Sequence, residues 1–137
     1  IMEASIHIAC ILGEKFSIIA INKRRAGTKW RYVRSLGLSD RMISVIPIEM
    51  SVEEMEENVD KLIDSVVRAV NKAKEEGAEV AILGCASMAG YAKEVERRTG
   101  VCIVDPIVVG FKIAEVLADI GLSQSKIGSY STPKGDI

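Results

Sequence analysis

Aromatic residues and cysteines are scarce in this sequence of 137 residues. Phe, Trp and Tyr make up 4% of the chain, so a hydrophobic core has to be built from aliphatic side chains and alanine. The three cysteines are an odd number without close spacing, which argues against both a disulfide framework and a zinc site. We therefore expect a reducing compartment, the cytoplasm, and no metal.

Long hydrophobic runs and an excess of charge of one sign are also missing. The longest apolar stretch, residues 6–12, is much shorter than the roughly 20 residues of a membrane span, and His7 interrupts it. With 18 basic and 19 acidic residues the net charge is −1, which gives no electrostatic footprint for nucleic acid. The sequence thus predicts neither a membrane span nor a nucleic-acid partner, and it leaves a homo-oligomer open.

Short apolar runs alternate with amphipathic stretches along the whole chain, which predicts an α/β fold with a mostly parallel four-stranded sheet. The runs that predict buried strands cover residues 16–21, 42–48, 80–83 and 101–104. Helical spacing is found over residues 1–12, 28–35, 51–76, 91–98 and 108–120. Helices on both faces of such a sheet give a three-layer lobe.

Two of the predicted helices carry specific expectations about their boundaries and faces. In the helix over residues 28–35, Trp30 and Val33 are expected to point inward. The long helix begins at Ser51, and Glu54 three residues later completes a capping box. Its inward stripe is expected to include Val59 and the apolar residues that follow at helical spacing.

Cys85 is the strongest candidate for a chemical role. It follows the strand 80–83 after a single glycine and opens a loop of small residues before the next helix. This position predicts a thiol at the carboxyl edge of the sheet, where helix N-termini and unpaired amides favour thiolate over thiol and can hold an oxyanion. The alternative is a buried structural cysteine, which is common in protein interiors. The loop lacks the spacing and the lysine of a phosphate-binding loop.

Other polar or nucleophilic residues have weaker claims. Asn22 follows the first strand and serves equally well as a ligand contact or as a turn residue. Asp105 closes the fourth strand, where a helix cap is the favoured interpretation over a site role. Cys10 and Cys102 lie in apolar contexts typical of packing residues. His7, the single histidine, is expected at the surface of its helix.

Residues 77–133 resemble the C-terminal half of hydantoin racemases, a family of the Asp/Glu racemase superfamily. The segment Leu83-Gly84-Cys85-Ala86-Ser87-Met88 matches the family's leucine-glycine-cysteine-alanine-glycine-methionine motif with one substitution. Residues 121–126 match a later segment loosely, and residues 1–18 resemble the family's middle segment. The resemblance therefore covers essentially the whole chain.

The resemblance implies a cofactor-independent racemase in which two cysteines transfer a proton at an acidic carbon, across a cleft between pseudo-symmetric lobes. Cys85 would be one of the two. A small-molecule substrate, a hydantoin or allantoin-like derivative, would be held by the backbone of Gly84, Ala86, Ser87 and Met88, with Asn22 as a second contact. Of these, the amides at residues 86–88 would bind a substrate carbonyl.

The family's first cysteine has no equivalent in this sequence, and Asn22 stands where the family commonly has threonine. We therefore interpret residues 1–13 as a segment of a largely absent N-terminal lobe, residues 14–121 as the C-terminal lobe, and residues 122–137 as a tail. The chain begins at Ile1, in the middle of a helical pattern, which suggests a piece of a longer protein.

Two other hypotheses fit the same fold. An aspartate or glutamate racemase would carry threonine-histidine after the cysteine, where this chain has Ala86-Ser87. A non-catalytic α/β module could use the same loop to bind a small anion. The rate at which Cys85 is alkylated near neutral pH separates an enzyme from such a module.

Overall fold

The computed structural model describes residues 1–131, and these form a single four-stranded parallel sheet between two layers of helices. In the described part of the chain no helix is long and apolar enough to cross a membrane. The strands are β1 Phe16–Ala20, β2 Met42–Pro47, β3 Val80–Leu83 and β4 Cys102–Val104. The helices are α1 Met2–Leu12, α2 Lys23–Ser35, α3 Val52–Glu57, α4 Val59–Glu75, α5 Ala92–Thr99 and α6 Pro106–Asp119.

The strand order is β2-β1-β3-β4, with every neighbouring pair parallel. The predicted parallel α/β lobe is confirmed. From β1 the chain first moves to β2 at one edge, and it then crosses back over β1 to build β3 and β4 on the other side. The sheet therefore reverses its winding between β1 and β3, and in open α/β sheets this is where ligands bind, at the carboxyl ends of the strands.

Each face of the sheet has its own hydrophobic core. Under α1 and α2, Phe16 and Ile18 of β1 pack with Ile82 of β3 and Val33 of α2, all fully buried. On the other face α4 supplies a stripe of buried side chains that packs on Ile19 and Leu83. Because both faces are covered, β1 and β3 are buried at every position, which is why they appear in the sequence as apolar runs, with Ser17 of β1 as the one polar residue.

Helix α1 packs on the sheet of this lobe, so the expectation that it would lie apart from the lobe is wrong. Ile6 and Ala9 are fully buried in the same cluster as β1, β3 and β4. At the end of the helix, the Arg41 guanidinium donates to the carbonyls of Cys10 and Gly13, both at 2.9 Å. The cation thus satisfies carbonyls that a helix C-terminus leaves without partners. The boundaries at residues 13 and 121 stay predictions.

Two predicted helices differ from the observed ones. Helix α2 begins at Lys23 instead of residue 28, and only Val33 is buried, whereas Trp30 is 38% exposed. The capping box of Ser51 with Glu54 is present, but the helix that it starts ends at Glu57. Asn58 breaks the helix and caps α4 by accepting from the Lys61 amide at 3.1 Å.

The break at Asn58 also changes which side chains face inward. Val59, expected in the inward stripe, is 37% exposed at the first position of α4, whereas Leu62 and Val66 are buried as predicted. In the tail, residues 122–131 contain no helix or strand, and the rest of the predicted tail lies outside the described residues.

The packing of α1 can be tested by comparing two isoleucines of the same helix. Ile6→Ala removes a fully buried side chain and should lower the free energy of unfolding by about 2–5 kcal/mol. Ile11, 77% exposed, is the matched control, and its change to alanine should cost no more than about 0.5 kcal/mol. Urea denaturation measures both; equal effects would show that α1 does not pack on this sheet.

Candidate active site

The candidate site lies at the carboxyl edge of the sheet, between β1 and β3. Ile21 and Asn22 follow β1, and Gly84 and Cys85 follow β3, so the two chain segments leave the sheet side by side at the point where its winding reverses. Cys85 is partly buried and has an extended backbone. This is the position that the sequence predicted for the thiol.

Gly84 sets the distance between the two segments. Its amide donates to the carbonyl of Ile19 at 2.8 Å, which continues the pairing of β3 with β1 by one residue. A Cβ atom at this position would collide with the same carbonyl oxygen and would press on the Ile18 side chain. A residue larger than glycine would therefore push Cys85 away from β1.

The loop after Cys85 is a single 3-10 turn, Ala86–Met88, for which Cys85 is the N-terminal cap residue. The Met88 amide donates to the Cys85 carbonyl at 3.1 Å, and the Ala89 amide donates to the Ala86 carbonyl at 2.9 Å. The Cys85 thiol lies 3.7 Å from the Ser87 hydroxyl oxygen, within hydrogen-bonding range for sulfur. The thiol is thus held toward the start of the turn.

The structure favours an anchoring role of Met88 over the predicted contact of its amide with a substrate carbonyl, which stays a prediction. Its amide is already engaged within the turn, and its side chain is 1% exposed in the core beneath α3 and α4. Met88 therefore anchors the loop to the core. The hydrogen bonds within residues 1–131 include none donated by the amides of Ala86 and Ser87, which open the turn and stay available to a ligand.

Asp105 fastens the other end of this loop to the sheet. One carboxylate oxygen caps α6 by accepting from the amides of Ile107, at 2.9 Å, and Val108, at 3.4 Å. The other oxygen accepts from the Gly90 amide at 2.8 Å. The favoured prediction of a helix cap is confirmed, and the bond to Gly90 is an addition that the sequence did not reveal.

Two basic residues of α2 face the thiol, and the sequence analysis missed both. Arg25 and Lys29 line a cavity of about 350 Å³ together with Cys85. Burial lowers the pKa of Lys29, the nearby Cys85 thiolate opposes this effect, and the positive charge of Arg25 adds to it. The remaining lining residues are Ile21, Val52, Gly84 and Ala86.

Asn22 serves as the N-terminal cap of α2. Its side-chain oxygen accepts from the Arg25 amide at 3.1 Å, so this oxygen already has a partner. Asn22 lines a second cavity next to the thiol cavity and is absent from the lining of the first. The structure favours the turn role over direct contact with a ligand at Cys85, and a ligand contact from Asn22 stays a prediction.

The other two cysteines lie near the amino ends of the strands, opposite the carboxyl edge that holds Cys85. Cys102 begins β4 beside Val80, the first residue of β3, about 16 Å along the strand direction from Cys85. Cys10 is bound through its carbonyl by Arg41, which precedes β2. His7 is exposed on α1. Within residues 1–131 no cluster of three or more metal-ligating side chains occurs.

Sequence comparison identifies the family. Residues 1–114 match the family model described as Asp/Glu/Hydantoin racemase, and the chain belongs to this family. The hydantoin racemase of Paenarthrobacter aurescens is 31% identical over 134 residues, which cover 97% of this chain and 57% of that protein. The chain therefore spans a little over half the length of such relatives.

Solved structures agree with this assignment. The crystal structure of an allantoin racemase from Pseudomonas fluorescens superposes with a TM-score of 0.88 at 36% identity, and covers 98% of this chain and 58% of that one. The allantoin racemase from Klebsiella pneumoniae gives a TM-score of 0.90 at 26% identity, with 98% and 56% covered. The fold of this chain is therefore that of about half of an allantoin racemase.

The reactivity of the thiols tests the site directly. Iodoacetamide at pH 7 should alkylate Cys85 roughly tenfold faster than Cys102, because only the thiolate attacks and the Cys85 thiol lines an open cavity. In contrast, burial raises the pKa of the Cys102 thiol, and Glu96 raises it further. Peptide mass spectrometry over time gives both rates in one sample, and faster labelling of Cys102 would contradict an accessible thiol at Cys85.

The bond between Asp105 and Gly90 can be isolated with Asp105→Asn. Asparagine keeps one oxygen, so whichever way its amide turns, either the α6 cap or the bond from Gly90 is lost. We expect the free energy of unfolding to fall by about 1–3 kcal/mol, and hydrogen exchange of the Gly90 amide to accelerate. Asp119→Asn, at the exposed end of the same helix, is the control. An unchanged Gly90 exchange rate would disprove the anchoring role.

Proposed function

We propose that the protein to which this chain belongs racemises hydantoins or allantoin-like ureides without a cofactor, with Cys85 as one proton-transfer group. The observation that carries the proposal is the position of the Cys85 thiol in a cavity at the winding reversal of the sheet. Membership of the racemase family and the similarity to allantoin racemase structures support the reaction type. Because the chain spans only part of its relatives, the activity refers to the whole protein.

In the proposed step the Cys85 thiolate takes the proton from the acidic carbon. The carbon–hydrogen bond breaks, a sulfur–hydrogen bond forms, and the electron pair moves onto the neighbouring carbonyl oxygen as an enolate. The amides of Ala86 and Ser87 lie next to the thiol and can stabilise this oxygen. Arg25 and Lys29 place positive charge at the same cavity, which stabilises the enolate.

Inversion of the carbon requires a second group that returns the proton from the opposite face. Within residues 1–131, Cys10 and Cys102 lie at the far edge of the sheet and His7 is exposed on α1, so none of them faces the Cys85 cavity. We propose that this group comes from the region that the relatives have beyond the aligned half. The 137-residue chain alone should then racemise hydantoins negligibly.

Substitution of the thiol tests the proposal in the whole protein. Cys85→Ala and Cys85→Ser should lower kcat for racemisation of allantoin or a 5-substituted hydantoin by about 10²–10⁴-fold, the usual contribution of a general acid–base group. Optical rotation follows racemisation, and proton exchange in deuterated water reports abstraction alone. Cys10→Ala is the matched control and should keep the wild-type rate.

Three outcomes would contradict the proposal. An undiminished rate in Cys85→Ala would remove this residue from the mechanism. Racemisation of aspartate or glutamate instead of ureides would place the protein with the amino-acid racemases. Robust loss of optical rotation by the isolated chain would reveal a second acid within these 137 residues.

A further inference from the structure

The positive charge of this chain is concentrated on α2. Its 13 residues, KRRAGTKWRYVRS, contain six cations and no acid, although the whole chain has a net charge of −1. Three of the cations occupy the first turn, where the helix dipole favours acidic side chains. The stability of the helix therefore does not explain these three cations. Their position in the folded protein does.

The side chains of α2 meet at two adjoining cavities. Arg25 lines both the cavity of about 350 Å³ that holds the Cys85 thiol and a neighbouring cavity of about 540 Å³. Arg24 and Arg31 line the second, and Lys29 lines the first. Arg25 is thus the cation that borders both the thiol and the larger basic space.

Few carboxylates of the described residues lie near these cations. The four ion pairs found within residues 1–131 lie on other helices and involve no side chain of α2. Glu49 accepts from the backbone amide of Lys23 at 3.2 Å, and Glu3 accepts from the Tyr32 hydroxyl at 3.1 Å. Neither carboxylate lines the thiol cavity or the basic cavity next to it.

The enolate of a neutral hydantoin or ureide would use the positive charge beside the thiol, but it does not require the further cations Arg24 and Arg31 of the adjoining cavity. We propose that the substrate of this protein carries a carboxylate on the substituent of its acidic carbon, and that Arg25 binds this carboxylate while the carbon faces Cys85. The inference rests on the proposed function and narrows its substrate class. The planar guanidinium matches a carboxylate with two parallel hydrogen bonds, and the cavity shared by Arg25 and Cys85 places the two ends of such a substrate together.

Two hydantoins that differ only in charge test the inference on the whole protein. Hydantoin-5-acetate and hydantoin-5-acetamide have nearly the same shape, so a preference reports the carboxylate. A charge-assisted hydrogen bond predicts a kcat/KM ratio of about 10–100 in favour of the acetate. The acetate should also protect Cys85 from iodoacetamide at lower concentration than the acetamide.

Variants of α2 test whether Arg25 causes the preference for the acetate over the acetamide. In Arg25→Gln the ratio of kcat/KM values should fall to about one, and the difference in Cys85 protection should disappear. Arg34→Gln is the matched control, because Arg34 belongs to the same helix but lines neither cavity, and it should keep the wild-type ratio. Added salt should weaken binding of the acetate more than that of the acetamide.

The ratio of kcat/KM values and the protection of Cys85 from iodoacetamide together separate this inference from the proposed function. Equal kcat/KM values and equal protection in the wild type would overturn the carboxylate preference and leave the racemase proposal standing. Protection by the acetate that depends on Arg25, with racemisation of neither compound, would support the anion site and contradict the racemase. A preference for the acetamide would also overturn the inference.

Discussion

The close approach of Gly84 to the Ile19 carbonyl determines where the site lies. That single amide–carbonyl bond, at 2.8 Å, extends the pairing of β3 with β1 to the last residue before Cys85. The two strands belong to chain segments that wind in opposite directions, so no crossover helix covers the space beyond their carboxyl ends. A thiol placed there faces the start of α2, and the cations of that helix become its neighbours.

The loop that carries Cys85 has two anchors of different physical kinds. Met88 is buried among the side chains beneath α3 and α4, and Asp105 binds the Gly90 amide while it caps α6. Between these anchors the 3-10 turn leaves the amides of Ala86 and Ser87 next to the thiol. A site held in this way needs little rearrangement to receive an enolate oxygen, which is the condition under which backbone amides are most effective.

Local sequence patterns predicted the strands, the parallel sheet and the position of Cys85, because a strand buried on both faces leaves an apolar run and only Gly84 separates the end of β3 from the thiol. They did not predict the packing of α1, since an apolar stripe does not specify which surface it covers. The break at Asn58 was hidden within a continuous helical spacing. Arg25 and Lys29 were missed because the overall charge balance concealed a helix with six cations; three consecutive cations after a strand were the available signal.

The cations of α2 lower the stability of the fold. Those of the first turn oppose the helix dipole, and burial disfavours the charged form of Lys29. Because the pKa of Lys29 is lowered on folding, the folded protein binds fewer protons than the unfolded chain in the pH range just below the ordinary pKa of lysine, and stability rises with pH there. At neutral pH this residue thus disfavours folding, as do the first-turn cations.

Such unfavourable charges concentrate at functional sites, where residues are selected for what they bind instead of for stability. The unfavourable charges lie at the one edge of the sheet where its topology and the Cys85 thiol place a ligand, and a bound carboxylate would offset them.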